Sequence, residues 1–421
     1  MNGPPDVAAG RISPIPAIPR YEVPYGGGIG TAGPVPGVGR AARPPAATST
    51  GAWMSDQLTS DESCGDLEVV GTFTGAMPTG VTVSRRGRIF VNFPRWGDDV
   101  AATVAELRDG TCQPYPDPAW NSPAGIDDAG AFVSVQSVVV DPADRLWVLD
   151  TGSPMFQPTR TGGPKLVRID LDTDTVAQTI VFPPDVALPT TYLNDVRFDL
   201  RRGAAGTAFI TDSSGSGPNG IIVVDLASGA AWRRLHDDPS TKAEPLASFR
   251  PLVEGRPFLQ RPADGPPSPV TVGSDGIAIS ADGSRLFYCP LASRRLYSVS
   301  VDALADRSLD DDQVTATVRD EGDKGTASDG LESDDAGRIY LTGYEQNAIL
   351  RRHPDGGYDT LVRDPRLLWP DTMSVAADGY LYVIANQLHR QPTYSGGIDR
   401  RRKPYVLFRV RIDAGPVSLL P

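Results

Sequence analysis

Cysteine and histidine are both scarce in this 421-residue chain, three of each. Cys64, Cys112 and Cys289 are too few for a disulfide scaffold, and no CxxC pair offers zinc or redox chemistry. Cys289 lies in the apolar run Leu286-Phe287-Tyr288-Cys289 and reads as a small buried residue. Cys64 and Cys112 flank the first of several repeats, where one bridge and two free thiols are equally open readings. His236, His353 and His389 stand beside charged or turn residues, and no GxSxG occurs, so a Ser-His-Asp triad has no nucleophile with an evident base. No run of about 18 apolar residues exists, so no transmembrane helix and no membrane insertion are expected. Basic charge is in deficit: 40 Lys and Arg against 52 Asp and Glu give a net charge of -12, which argues against nucleic acid and anionic membrane surfaces as partners. Gly26 to Gly30 has no preceding strand or following helix and is not a nucleotide loop. Asp310-Asp311-Asp312 lacks the Gly and terminal Glu of a calcium loop and reads as a solvated loop. The start Met1-Asn2-Gly3-Pro4-Pro5 has neither a basic nor an apolar stretch, so it does not read as a secretory signal.

What the chain does have is a repeat. A polar residue leads into a short apolar strand, an Asp/Gly turn follows, and a second strand climbs through an aromatic. The phrase Asp329-Gly330-Leu331 to Arg338-Ile339-Tyr340-Leu341 is one of six. The aromatics Phe90, Trp147, Phe209, Phe287, Tyr340 and Tyr382 are spaced by 57, 62, 78, 53 and 42 residues. A period of roughly 40 to 60 residues with strands in every copy predicts an all-β fold, a six-bladed β-propeller. Third and fourth strands follow in several copies. The strand after Cys64 is expected to close the ring with the final strand near Tyr405, and a Pro-rich insertion from about Asp237 to Pro269 to cover one mouth. The Pro/Gly/Ala-rich segment 1-60 reads as a disordered leader, leaving 61-421 for the propeller.

The first strand of a blade lines the central channel, so the polar residues that open each phrase converge there: Thr79, Gln136, Asn194 with Asp195, Asp275, Asp329 and Asp371. Any one of them taken alone reads as a turn residue capping backbone N–H groups rather than as a ligand contact. As a ring they suggest two chemistries. Asn194, Asp275 and Asp371 have the oxygen ligands of a divalent cation, calcium or zinc. The alternative requires no cofactor: the ring hydrogen-bonds a small-molecule ligand bearing an amine, with Phe93, Trp96, Tyr192, Tyr344 and Trp369 as candidates for stacking and cation–π contact. Asp275, Asp329 and Asp371 are then the acid–base candidates.

The phrases from Arg88-Ile89-Phe90-Val91 through Phe93-Pro94-Arg95-Trp96, Leu146-Trp147-Val148-Leu149-Asp150-Thr151-Gly152, Ser274-Asp275-Gly276-Ile277-Ala278 and Trp369-Pro370-Asp371-Thr372 to Tyr380-Leu381-Tyr382-Val383 resemble the major royal jelly protein/Yellow family. Bacterial members of that family are often described as related to L-dopachrome tautomerase. The resemblance implies a six-bladed propeller with a small-molecule site in its channel, biogenic-amine binding or pigment-pathway chemistry, and secretion. It carries no universal catalytic motif. A more distant similarity to the gluconolactonase group implies calcium or zinc held by Glu, Asn and Asp, although Met77-Pro78-Thr79-Gly80 stands where that group places its Glu. The expectation is a channel-binding, Yellow-like isomerase or tautomerase. A metal-dependent lactonase and a non-catalytic binding or scaffold protein are the alternatives.

Overall fold

Each repeat phrase folds as a hairpin because β-branched and aromatic residues alternate around a turn that tolerates positive φ, as Gly283, Gly337 and Gly379 do. The computed structural model describes residues 62–122, 128–245 and 247–421; the leader expected over 1-60 lies outside them. Six four-stranded antiparallel sheets result. Their innermost strands are Gly80–Val83, Val135–Val140, Leu193–Asp199, Ser274–Ile279, Leu331–Ser333 and Pro370–Val375. Each touches the next, and the sixth touches the first, so the sheets are the blades of a closed six-bladed propeller. In the sixth blade the outermost strand is Leu67–Phe73, paired with Tyr405–Arg411, so the two ends of the domain close the ring as expected.

The repeated aromatics are fixed by the hairpin turns. Asp141 accepts a hydrogen bond from Trp147 Nε1 at 2.7 Å, Asp334 from the Tyr340 hydroxyl at 2.8 Å, and Asp378 from the Tyr382 hydroxyl at 2.8 Å. Where the aromatic is Phe90 or Phe287 and has no polar edge, a serine serves the turn instead. Ser84 Oγ accepts from the Arg88 N–H and Ser280 Oγ from the Arg285 N–H. The third blade departs from the pattern: its turn residue Asp199 binds Arg201 and Arg202.

Both mouths of the channel are covered. The insertion forms two small hairpins, Leu252–Val253 with Arg256–Pro257 and Leu259–Gln260 with Ser268–Pro269. Phe258 between them packs on Trp369, Tyr344 and Tyr394, which seats the insertion on one mouth. At the other mouth the C-terminal segment crosses from the fifth blade to the third, with the Asp335 N–H donating to Gly415 O and the Leu200 N–H to Leu419 O. One expectation changes, and the open choice between a Cys64–Cys112 bridge and two free thiols is decided. Asp310 is the N-cap, with a capping box, of a short helix Asp311–Thr315 rather than part of a solvated loop, since its carboxylate takes the Gln313 N–H. Cys64 and Cys112 are both free: Cys64 is exposed and bridges the backbone of Arg363, while Cys112 sits on the outer strand of the first blade.

Asp141 is fully buried and also accepts the Ala143 and Arg145 N–H groups and the Arg145 guanidinium. Asp141→Ala therefore costs on the order of 3 kcal/mol, because it strands a buried Trp N–H and a guanidinium. Asp282→Ala, at an exposed serine-bonded turn, costs well under half as much. Urea unfolding of the two variants checks this, and equal losses would contradict it.

Candidate functional site

At four of its six positions the polar ring forms where the innermost strand bulges; Thr79 and Asp329 stand just ahead of regularly paired strands. Pairing slips between Val135 and Ser137, between Leu193 and Val196, between Ser274 and Gly276, and between Pro370 and Met373. The residues left over are Gln136, Asn194 with Asp195, Asp275, and Asp371 with Thr372. A bulge turns a side chain out of the regular alternation, here toward the axis. The two glycines after the aspartates let neighbouring blades close up. A Cβ on Gly276 would lie 2.5 Å from Asp329 O, and one on Gly330 would lie 2.3 Å from Asp371 O. Asp275, Asp329 and Asp371 are brought together by that approach.

The carboxyl groups of Asp275 and Asp329 act on one another electrostatically across the cluster. Asp275 accepts from Asn194 Nδ2 at 2.5 Å, and Asn194 Oδ1 accepts from Gln136 Nε2 at 3.3 Å. Gln136 Oε1 accepts from the Tyr192 hydroxyl, which accepts from Trp96 Nε1 at 2.7 Å. On the other side Asp329 accepts from Trp369 Nε1 at 2.6 Å and Asp371 from Asn386 Nδ2 at 2.5 Å. Burial, reinforced by the neighbouring carboxylates, pushes Asp275 and Asp371 well above the usual carboxylate range. Burial likewise raises Asp329 to about 6, against the opposing effects of the Trp369 N–H and Asp275. The cluster therefore titrates as a unit and retains protons near neutral pH.

These groups form the floor of a cavity of about 550 Å³. Trp96, Phe156 and Tyr192 make one wall: the Trp96 and Phe156 rings stack at 5.0 Å, and Phe156 lies 5.0 Å from Tyr192. Tyr394 and Leu388 stand opposite. Below the floor the channel is blocked by Arg197, which binds Asp195, Glu332 and Leu331 O. The cavity is thus open from the insertion side alone.

Of the predicted residues, Trp96, Gln136, Tyr192, Asn194, Asp275, Asp329 and Asp371 line the cavity together. Five others stand elsewhere. Tyr344 is fully buried, with its hydroxyl donating to Leu291 O. Thr79 ties the first blade to the second through Gln136 O and Asn92. Phe93 packs edge-on against Phe73 in the core. Asp195 faces Ser137 and Arg197 beneath the floor. Trp369 is fully buried behind the wall, stacked on Tyr344 at 4.1 Å, and positions Asp329. Sequence reasoning missed Phe156, Tyr394 and Asn386. The first two lie in loops with no counterpart in other repeats. Asn386 had a signal: the residue four places after the repeated aromatic is also polar in Thr151 and Ser213.

The expected cation ligands do not fit together as a metal site. Among the described residues no group of three or more His, Cys, Asp or Glu side chains is placed to hold a metal ion. The proposed trio explains why. Asn194 uses its oxygen on Gln136 and turns an N–H on Asp275, while Asp371 is engaged by Asn386, so N–H donors occupy places where an ion needs lone pairs. Thr79, where a Glu would stand, spends its hydroxyl on Gln136 O.

The family model described as Major royal jelly protein matches residues 133–413. The chain belongs to the major royal jelly protein family. Among its relatives are Protein yellow of Drosophila erecta and of Drosophila melanogaster, each 26% identical over 337 residues covering 74% of this chain. The match spans 59% of the length of those relatives. Among solved structures, the calcium-binding protein regucalcin of Agrobacterium tumefaciens superposes with a TM-score of 0.51 at 14% identity, covering 83% of this chain and 95% of that one. That likeness concerns the propeller fold alone.

The raised Asp329 carboxyl sets a pH dependence of stability. Its folded value of about 6 exceeds the unfolded value of about 3.9, so its contribution is fully present below about pH 4 and is lost as pH rises through 6. Wild type should therefore lose about 3 kcal/mol relative to Asp329→Asn between pH 4 and 8. Paired denaturation curves across that range test it; a difference independent of pH would contradict it.

Proposed function

We propose that the cavity binds a small aromatic molecule bearing an amine, with the ammonium against Asp275 and Asp371 and the ring against Trp96, Phe156 and Tyr192. One contrast carries this reading. Every other buried aspartate among the described residues has a cation: Asp141 has Arg145, Asp150 Lys165, Asp195 Arg197, Asp199 Arg201, Asp212 Arg233 and Asp334 Arg338. Asp275, Asp329 and Asp371 alone have none, although burial makes an unpaired charge costly. A ligand ammonium supplies the missing partner, and aromatic faces beside it add cation–π attraction.

The same floor suits tautomerisation, the activity that likeness to relatives of L-dopachrome tautomerase suggests. Asp329 as carboxylate accepts a proton from substrate carbon and, as the carboxylic acid so formed, returns it to a substrate oxygen or nitrogen, while Asp275 stays ionised against the ammonium. The composition of the substrate is unchanged and no oxidant is needed. A carboxyl titrating near 6, as Asp329 does, suits proton transfer near neutral pH. Asn194 and Trp369 position the pair through their N–H bonds.

Tyramine, with 4-ethylphenol as its amine-free analogue, tests the binding claim by thermal shift and tryptophan fluorescence. Tyramine should bind, more tightly as pH rises, and 4-ethylphenol at least tenfold more weakly. Asp275→Asn with Asp371→Asn should remove the preference. Equal binding of the two compounds, or an unaffected double variant, would overturn the reading. L-dopachrome decay tests the chemistry: Asp329→Asn should slow it at least a hundredfold. Binding without decay would leave a binding protein.

A further inference from the structure

Outside the channel, charge is distributed unevenly. The chain carries a net charge of -12, yet one cavity of about 1020 Å³ between the insertion and the loop before the final strand is walled by Arg256, Arg261, Arg390, Arg400, Arg401 and Arg402. Only two carboxylates share that wall, and both are taken. Glu254 binds Arg390 and His389, and Asp399 binds Arg401 together with Asp98. Arg261 has one long bond, to Pro257 O. The guanidiniums of Arg256, Arg400 and Arg402 make no hydrogen bond or ion pair with any described residue, whereas arginines elsewhere in the chain are extensively paired with acids. They are carried on two elements held in register: the Arg261 N–H donates to Thr393 O and the Gly396 N–H to Arg261 O. Phe258 and Tyr394 back the cavity, and Tyr394 separates it from the channel.

We propose that this cavity is a second ligand site, for a small polyvalent oxyanion of the phosphate type, clamped by Arg256, Arg400 and Arg402. Free guanidinium forks converging from two backbone segments match the paired oxygens of phosphate groups, and the rigid fork makes arginine better suited than lysine to that task. Gathering like charges in an acidic protein is unfavourable without a counterion, and an anion offsets the repulsion. The site stands independently of the amine reading, since it uses none of the channel carboxylates.

Calorimetric titration of the full chain with sodium tripolyphosphate, and with inorganic phosphate alongside it, tests the proposal. Tripolyphosphate should bind one to one, more tightly than phosphate, and weaken as sodium chloride is raised. Arg256→Ala with Arg402→Ala should lower the affinity at least tenfold, while Arg319→Ala on the exposed edge of the fourth blade leaves it unchanged. Asp275→Asn should also leave it unchanged, which separates this site from the channel. If the double variant does not fold, the exposed single change Arg400→Gln reads the same contact with a loss of threefold or more. No binding at millimolar tripolyphosphate, or a loss no larger than that of Arg319→Ala, overturns the proposal.

Discussion

Three carboxyl groups held together in a buried place without a cation are the constraint around which the site is arranged. Coulomb repulsion and desolvation both oppose the arrangement. It persists because the propeller leaves little alternative: Gly276 and Gly330 let the backbones of the fourth, fifth and sixth blades approach so closely that no Cβ fits between them. The cluster relieves itself by keeping protons and by accepting N–H bonds from Asn194, Trp369 and Asn386. The proposed binding of positive charge rests on this unpaired arrangement.

The rest of the channel sharpens that poise. Arg197 neutralises Asp195 and faces Glu332 below the floor, so the field of those acids is largely cancelled before it reaches the cavity. The C-terminal segment lies across the far mouth, and the insertion narrows the near one around Phe258. A ligand reaching the carboxylates must pass Trp96, Phe156, Tyr192 and Tyr394. Burial of aromatic area along the way contributes affinity that a bare cation would not gain.

The fold was legible because a repeat makes six independent statements of one pattern. Phe90, Trp147 and their counterparts mark the second strands, and the turn acids that hold the polar ones recur with them. The ring was legible in part for the same reason: residues that open each phrase occupy equivalent backbone positions. What the pattern does not carry is direction. Thr79, Asp195 and Asp371 stand at similar points of their phrases, yet local bulges and the Arg197 side chain decide which face the cavity. The aromatic wall was harder still. Phe156 comes from a positive-φ turn peculiar to the second blade, and Tyr394 from a loop unique to the sixth. Trp369 had the right composition for a ligand contact, but its left-handed backbone places the indole behind the wall, where it serves Asp329.

The central claim is that the aspartate cluster holds protons while empty and releases them to solvent when an ammonium group binds. Proton release on binding measures this directly: tyramine titrated calorimetrically at pH 7 in two buffers of different ionisation enthalpy. The account predicts a buffer-dependent heat corresponding to net proton release by the wild-type protein, and its loss in Asp275→Asn. Tyramine binding with a heat independent of buffer would contradict it.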